Sequence, residues 1–201
     1  HFFNSIQQLE EIIQMTSAEL ALIGVKPTYP SAKYGYIIPR QGELLESGVM
    51  RVSHFQEKPT EVEAVDLIEQ QAMWNCGVFA FRLGYIINIL NSKGLPVEYD
   101  KLTEQYHKMP KISFDYEVVE KTNNIVVLPY EGYWKDLGTW NTLTEEMKHY
   151  QIGKGIISQD CYNTHLVNEL EIPVTVLGVS NVVVAVSPDG ILVTDKSASP
   201  R

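Results

Sequence analysis

Phe55-Gln56-Glu57-Lys58-Pro59 closes a β-prone run that begins with Val49 and Val52. A carboxylate and an amine are delivered side by side, and the run then stops at a proline, which cannot donate a ladder hydrogen bond. Thr60-Glu61-Val62-Glu63 follows at once with the spacing of a capping box, so a helix opens where the strand ends. A strand that finishes in Glu-Lys and turns straight into a helix sets both charges at the carboxyl edge of a sheet. In open α/β sheets that edge is where ligands bind. By itself the pair reads first as two solvated loop charges. What accompanies it along the chain shifts that balance.

On the amino side, Ser5-Ile6-Gln7-Gln8 reads as a further capping box, opening a helix over residues 5–16 with Leu9, Ile12 and Ile13 at helical spacing. Leu20 to Val25 is a continuous apolar run of strand length, as in a strand buried within a mostly parallel sheet. Pro27 and Pro30 enforce an extended loop into Lys33-Tyr34-Gly35-Tyr36-Ile37-Ile38. On the carboxyl side, the capped helix over 61–72 carries Val62, Val65, Ile68 and Ala72 on one face. Trp74-Asn75-Cys76-Gly77-Val78-Phe79-Ala80-Phe81 is a β-prone run with an Asn and a Gly at its mouth. Helices are expected over 83–90, 95–107 and 113–121, and a short strand over 125–128. After Tyr133-Trp134-Lys135-Asp136-Leu137-Gly138, Thr139 caps a helix with Trp140, Leu143, Met147 and Tyr150 along one face. From Gly153 onward, strand-length segments alternate with turns such as Pro188-Asp189-Gly190. The pattern divides the chain into an α/β domain of residues 1–150 and a small β-rich domain of residues 151–201.

Composition narrows the function classes. The 201 residues are 44% hydrophobic and 20% charged, which is globular rather than disordered. A net charge of −9 argues against a nucleic-acid surface, so any phosphate chemistry must rely on a few placed cations. No apolar run approaches the roughly 18 residues that a membrane-spanning helix needs. Cys76 and Cys161 have no metal-ligand spacing and read as reduced, structural thiols of a cytoplasmic protein. The five histidines are scattered, with none at convincing ligand spacing.

Four segments place polar residues at a strand end or loop start: Tyr34-Gly35-Tyr36, Glu57-Lys58-Pro59, Trp74-Asn75-Cys76-Gly77 and Trp134-Lys135-Asp136-Leu137-Gly138. In this order they resemble the sugar-1-phosphate nucleotidyltransferases. The match is nearest to the mannose-1-phosphate guanylyltransferases, with their YGYI loop, F-x-EKP strand end, WN-x-G-x-F strand and W-x-D-x-G-x-W turn. Ser113-Phe114-Asp115-Tyr116-Glu117-Val118-Val119-Glu120-Lys121 is similar to that family's DYAVMEK helix. The β tail, with Asn163-Thr164-His165 and Gly178-Val179-Ser180-Asn181, is similar as well.

The resemblance implies the acceptor half of a Rossmann-like nucleotidyltransferase domain with a mixed sheet, followed by a β-helix-like domain. The reaction would be attack of mannose 1-phosphate on the α-phosphorus of GTP, giving GDP-mannose and pyrophosphate. Lys58 would neutralise the sugar phosphate as a point charge, and Glu57 would accept from sugar hydroxyls. Gly35 and Gly77 would let backbone approach the hexose beside Tyr34, and Asn75 would read a hydroxyl with its amide. Asp136 would hold Mg²⁺, an oxygen-seeking cation that takes one or two carboxylates plus phosphates. The catalytic assignments are therefore Lys58 and Asp136, in an assembly expected to be a homodimer. The bland alternatives are a turn role for Asp136, a strand-end cap for Asn75 and core packing for Trp74, Trp134 and Trp140.

The chain departs from the family pattern in carrying Ala32-Lys33 before Tyr34 and Cys76 where Ser is common. It also lacks the glycine-rich G-G-x-G-x-R-L loop that holds the nucleotide, and His1 matches the last residue of the family's P-[SA]-D-H motif. The expectation is a fragment without the nucleotide half, unable by itself to release pyrophosphate. Another hexose-1-phosphate nucleotidyltransferase, or a non-catalytic sugar-phosphate-binding module, remains the alternative.

Overall fold

The structure is a computed structural model and describes residues 2–45 and 48–199, so the motif match at His1 lies outside the described residues. The chain divides between Trp134 and Lys135 into two compact units, whereas the sequence pattern changes near residue 151.

In the first unit, helix α1 (Phe2–Met15) buries Leu9, Ile12 and Ile13, the stripe its spacing predicts. It starts at Phe2, so Ser5 lies inside the helix and does not cap it, contrary to the capping-box reading. Strand β1 (Leu20–Val25) is buried at every residue. Leu20 and Leu22 pack into one core cluster with Ile37, Phe55 and Val127. Ala21 and Ile23 pack into another with Ile12 and Val126. Successive strand residues point to opposite faces, so a strand with core on both sides must be apolar throughout.

Four further strands complete the sheet: β2 (Gly35–Leu44), β3 (Met50–Glu57), β4 (Met73–Phe81) and β5 (Ile125–Tyr130). The order is β1-β4-β2-β3-β5, and β5 returns to pair with β1, closing the sheet on itself. Only β1 and β5 run parallel among these strands, so the sheet is mixed and not mostly parallel.

Helix α2 (Glu61–Glu69) opens with the predicted capping box. Glu63 N–H donates to Thr60 Oγ1 at 3.3 Å, and Thr60 N–H donates to Glu63 Oε2 at 2.7 Å. The Thr60 hydroxyl also donates to Glu63 Oε2 at 2.7 Å, and this bond, with the Thr60 N–H, favours the charged form and holds the Glu63 carboxyl below its ordinary range. The buried face, however, is Ala64 and Leu67, packed with Tyr36, Ile38 and Trp74. Val62 and Val65 stay 74% and 44% exposed, while Ile68 and Ala72 of the same predicted face do pack into this cluster, so the face is used in its second half only. Small Ala64 permits the close approach to β2 that a branched side chain would block. Helices α3 (Leu83–Ser92) and α4 (Tyr99–Gln105) follow, then a single π turn at Asp115–Val119 in place of the expected helix over 113–121.

The second unit opens with helix α5 (Trp140–Glu146), whose N-cap Thr139 makes no side-chain cap bond. Met147 is already extended, so the helix stops short of Tyr150 and the predicted four-residue face is cut in half. Strands β6 (Gln151–Ile152), β8 (His165–Asn168) and β10 (Val182–Ser187) run parallel, with β11 (Gly190–Asp195) antiparallel on β10. Strands β7 (Gly155–Ile157) and β9 (Val174–Val176) form a second parallel pair. Leu166, Val176, Val184 and Val186 make the core.

A buried polar group lies beside that core. Lys196 Nζ donates to Asn163 Oδ1 at 2.7 Å and lies 2.9 Å from His165 Nδ1. With the ammonium as donor, the ring nitrogen must accept, so His165 is neutral. Burial, reinforced by the Lys196 charge, pushes His165 down to about 4. Between pH 6.5 and about 4 the unfolded chain therefore binds a proton that the native imidazole refuses, and stability falls as pH falls through that window. Thermal unfolding followed from pH 7 to pH 4.5 should show this decline, flattened in His165→Asn, which keeps an acceptor without a titrating ring. Equal pH slopes in the two proteins would remove His165 from the effect.

Candidate functional site

Strand register collects the predicted site residues. Gly35 at the start of β2 pairs with Glu57 at the end of β3. Tyr36 pairs with Trp74 on β4, so the next antiparallel step brings Gly35 level with Asn75. Val25, the last residue of β1, pairs with both Trp74 and Tyr130. The carboxyl ends of β1, β3 and β5 therefore share one edge with Tyr34, Gly35, Glu57, Lys58, Asn75 and Gly77, as the strand-to-helix reading of Glu57-Lys58 expects.

The Glu57 side chain is only 8% exposed, while that of Lys58 is 53% exposed, and Lys58 Nζ lies 3.5 Å from Glu57 Oε1. Neighbouring strand residues point to opposite faces, but Lys58 has φ of +47°, which breaks the alternation and brings both charges to one side. The Lys58 N–H donates to the Tyr34 carbonyl at 3.2 Å, tying this irregular residue to β2. Burial raises the Glu57 carboxyl above its ordinary range, Asp115 adds to the rise, and Lys58 opposes both.

The two glycines serve the backbone in different ways. A Cβ at Gly35 would come within 2.4 Å of Glu57 Oε2 and 2.5 Å of the Phe55 ring. Gly35 is thus the seat of the Glu57 carboxylate. Gly77 has open space around it but a φ of +72°, which L side chains adopt at a cost. Its N–H donates to Asn75 Oδ1 at 3.0 Å, and Asn75 Nδ2 donates to Asp115 Oδ1 at 2.9 Å. Asp115 and Glu120, whose Oε1 accepts the Glu57 N–H at 2.8 Å, are members of the site that strand and loop patterns do not single out. Their only sequence signal is the Ser113–Lys121 motif.

Trp74 is buried and packs edge-on against Tyr29 and Tyr34, with ring centroids 5.0 and 4.8 Å away. Trp134 meets Tyr34 at 5.7 Å. Trp74 is therefore core, and the cluster forms an aromatic wall beneath the strand ends. Cys76 is a free thiol that burial pushes up to about 12, inert at neutral pH. Cys161 is also free.

Asp136 belongs to the second unit. Its Oδ1 accepts the Gly138 N–H at 2.9 Å, a side-chain turn within the Trp134–Gly138 segment. Lys135 beside it is held charged by hydrogen bonds to Glu145 and Glu146, which push its pKa up. Among the described residues no group of three or more His, Cys, Asp or Glu is placed to hold a metal ion. No helix among them is long and apolar enough to cross a membrane.

A closed mixed sheet thus carries a lysine-carboxylate pair and a fixed carboxamide at one edge. A nucleotidyl transferase family profile matches residues 2–152, and the chain belongs to that family. It is similar to the alginate biosynthesis protein AlgA of Pseudomonas fluorescens, 32% identical over 200 residues, covering 89% of this chain and 41% of the relative. The mannose-1-phosphate guanylyltransferase RfbM of Salmonella typhimurium is 30% identical over 217 residues, covering 97% of this chain and 44% of the relative. A crystal structure from Thermus thermophilus, described as a mannose-1-phosphate geranyltransferase, aligns with a TM-score of 0.69 at 27% identity, covering 98% of this chain and 61% of that one. The chain thus spans about two fifths of the length of these curated relatives.

Gly35→Ala tests the seat of Glu57. The added methyl must displace the carboxylate or the Phe55 ring, which should cost about 1–3 kcal/mol in urea unfolding, the scale for overpacking. Gly77→Ala, which meets no atoms, should cost only the backbone term of about 1–2 kcal/mol. A Gly35→Ala protein as stable as the parent would mean that Glu57 has room to move.

Proposed function

We propose that this chain provides the acceptor pocket for nucleotidyl transfer from GTP to mannose 1-phosphate, giving GDP-mannose and pyrophosphate. The observation that carries the reading is the buried Glu57 carboxylate with Lys58 Nζ at 3.5 Å, on the sheet edge it shares with Asn75. The names of the relatives supply the sugar and the base; the geometry supports a hydroxylated phosphate ester. In this reading a sugar-phosphate oxygen attacks the α-phosphorus and pyrophosphate leaves from the opposite side, so catalysis is mainly positioning and charge neutralisation. Lys58, largely exposed, holds the acceptor phosphate. Glu57 accepts from ring hydroxyls, which compensate a carboxylate that burial has deprived of water. Asn75 has one amide N–H and one lone pair left after its bonds to Asp115 and Gly77.

Magnesium, when bound, neutralises phosphate charge. Asp136 fits as one carboxylate ligand, since the Gly138 N–H engages Oδ1 alone and Mg²⁺ draws its remaining ligands from phosphates and water. The same reading takes residues 151–201 as a β-helix-like domain, supported by the parallel strands β6, β8 and β10 and the parallel pair β7 and β9.

In the intact protein, Lys58→Ala should lower kcat/KM for mannose 1-phosphate by about 2–4 kcal/mol, the scale for removing one partner of a hydrogen-bonded charge pair. An unchanged value removes Lys58 from the site. Asp136→Asn keeps the turn chemistry and loses the charge, so the variant should fold normally yet require far more Mg²⁺ for turnover. A parental Mg²⁺ dependence would assign Asp136 to the turn alone.

A further inference from the structure

The Asp115–Val119 segment is one turn of π-helix, with the Glu120 N–H donating to the Asp115 carbonyl at 2.9 Å. In an α-helix, at 3.6 residues per turn, residues five apart point about 140° away from each other. The wider π turn brings residue 120 much closer to the direction of residue 115, and such turns, mostly single, are frequent at functional sites. Both side chains use the shared face. Asp115 Oδ1 takes the Asn75 Nδ2 bond on β4, and Glu120 Oε1 takes the Glu57 backbone N–H at the end of β3. Asn75 is also held at its other end by the Gly77 N–H, so its carboxamide has one orientation. The partners lie 40 and 63 residues apart in sequence, and the π turn is where they are tied together.

We propose that this π turn is the positioning element of the acceptor pocket, Asp115 setting the Asn75 carboxamide and Glu120 anchoring the backbone at Glu57, so that groups reading sugar hydroxyls on two strands keep one spacing. Asp115 and Glu120 are positioning residues, each working through the neighbour it binds. The cost is three carboxylates at close quarters, since Asp115 and Glu120 both disfavour the charged form of Glu57. A side chain that served packing alone would be neutral here; charged acceptors bind an N–H more strongly and hold its direction. The inference rests on the sugar-phosphate reading above.

The test is calorimetric titration of the full chain with mannose 1-phosphate and, separately, with inorganic phosphate. Asp115→Ala and Asn75→Ala should each weaken mannose 1-phosphate about 5–20-fold, and the double variant no more than the weaker single, because both remove one contact. Asp115→Asn still offers an acceptor oxygen to Asn75 and should remain within about threefold of the parent. Inorganic phosphate has no ring hydroxyls to read and should bind the parent and all three Ala variants alike. Multiplying effects in the double variant, or a parallel loss of inorganic phosphate binding, would overturn the positioning role while leaving the sugar-phosphate reading intact. A parent that does not bind mannose 1-phosphate, or an Asn75→Ala variant that binds it as the parent does, would overturn that reading and this inference together.

Discussion

A carboxylate buried at the end of β3 sets the terms for its surroundings. Withdrawing a charge from water costs several kcal/mol unless neighbours replace the lost hydration. Glu57, with a side chain 8% exposed, finds one ammonium, from a lysine held in a left-handed backbone conformation. It needs a residue without a Cβ across the ladder, which is Gly35. Its own backbone N–H is taken by a side chain from the π turn. Burial and the nearby Asp115 outweigh the opposing Lys58 and leave the carboxylate raised in pKa. In the function proposed above, the sugar hydroxyls would be the donors that meet it.

Much of this was legible where the cause is local. The all-apolar Leu20–Val25 run announces a strand with core on both faces, and the Thr60–Glu63 box closes within four residues, so both are found where expected. The antiparallel pairing of β2 with β3 also follows from a short connection, whereas β4 reaches β2 only after helix α2. What failed was set by distant partners. The buried face of α2 is chosen by Tyr36, Ile38 and Trp74, which favour small Ala64 over the larger valines. The end of α5 at Met147 has no glycine or proline to announce it. Asp115 and Glu120 are drawn into the site by bonds across many residues, which no periodicity encodes.

Family likeness and geometry give the same residues different duties. Gly35 reads as a place where backbone comes close to a sugar, yet the near neighbour is the Glu57 carboxylate. Gly77 reads the same way, yet what it supplies is a left-handed turn and an N–H for Asn75. Asp136 in its own unit already serves a turn. A motif preserves a residue for the sum of its duties, and the structural duty is the one a single chain displays.

The pairing of β1 has a consequence for how the chain comes to be folded. Leu20–Val25 precedes its antiparallel partner β4 by about fifty residues and its parallel partner β5 by about a hundred. Closing loops of that length precedes any reward from the contacts, so formation of the ring is slow compared with the local helices. In the interval an uncharged apolar strand with two open edges is present, the kind of segment that pairs with other chains. Helix α1, which packs Ile12 and Ile13 against Ala21 and Ile23 from the adjoining stretch of chain, gives it a local cover.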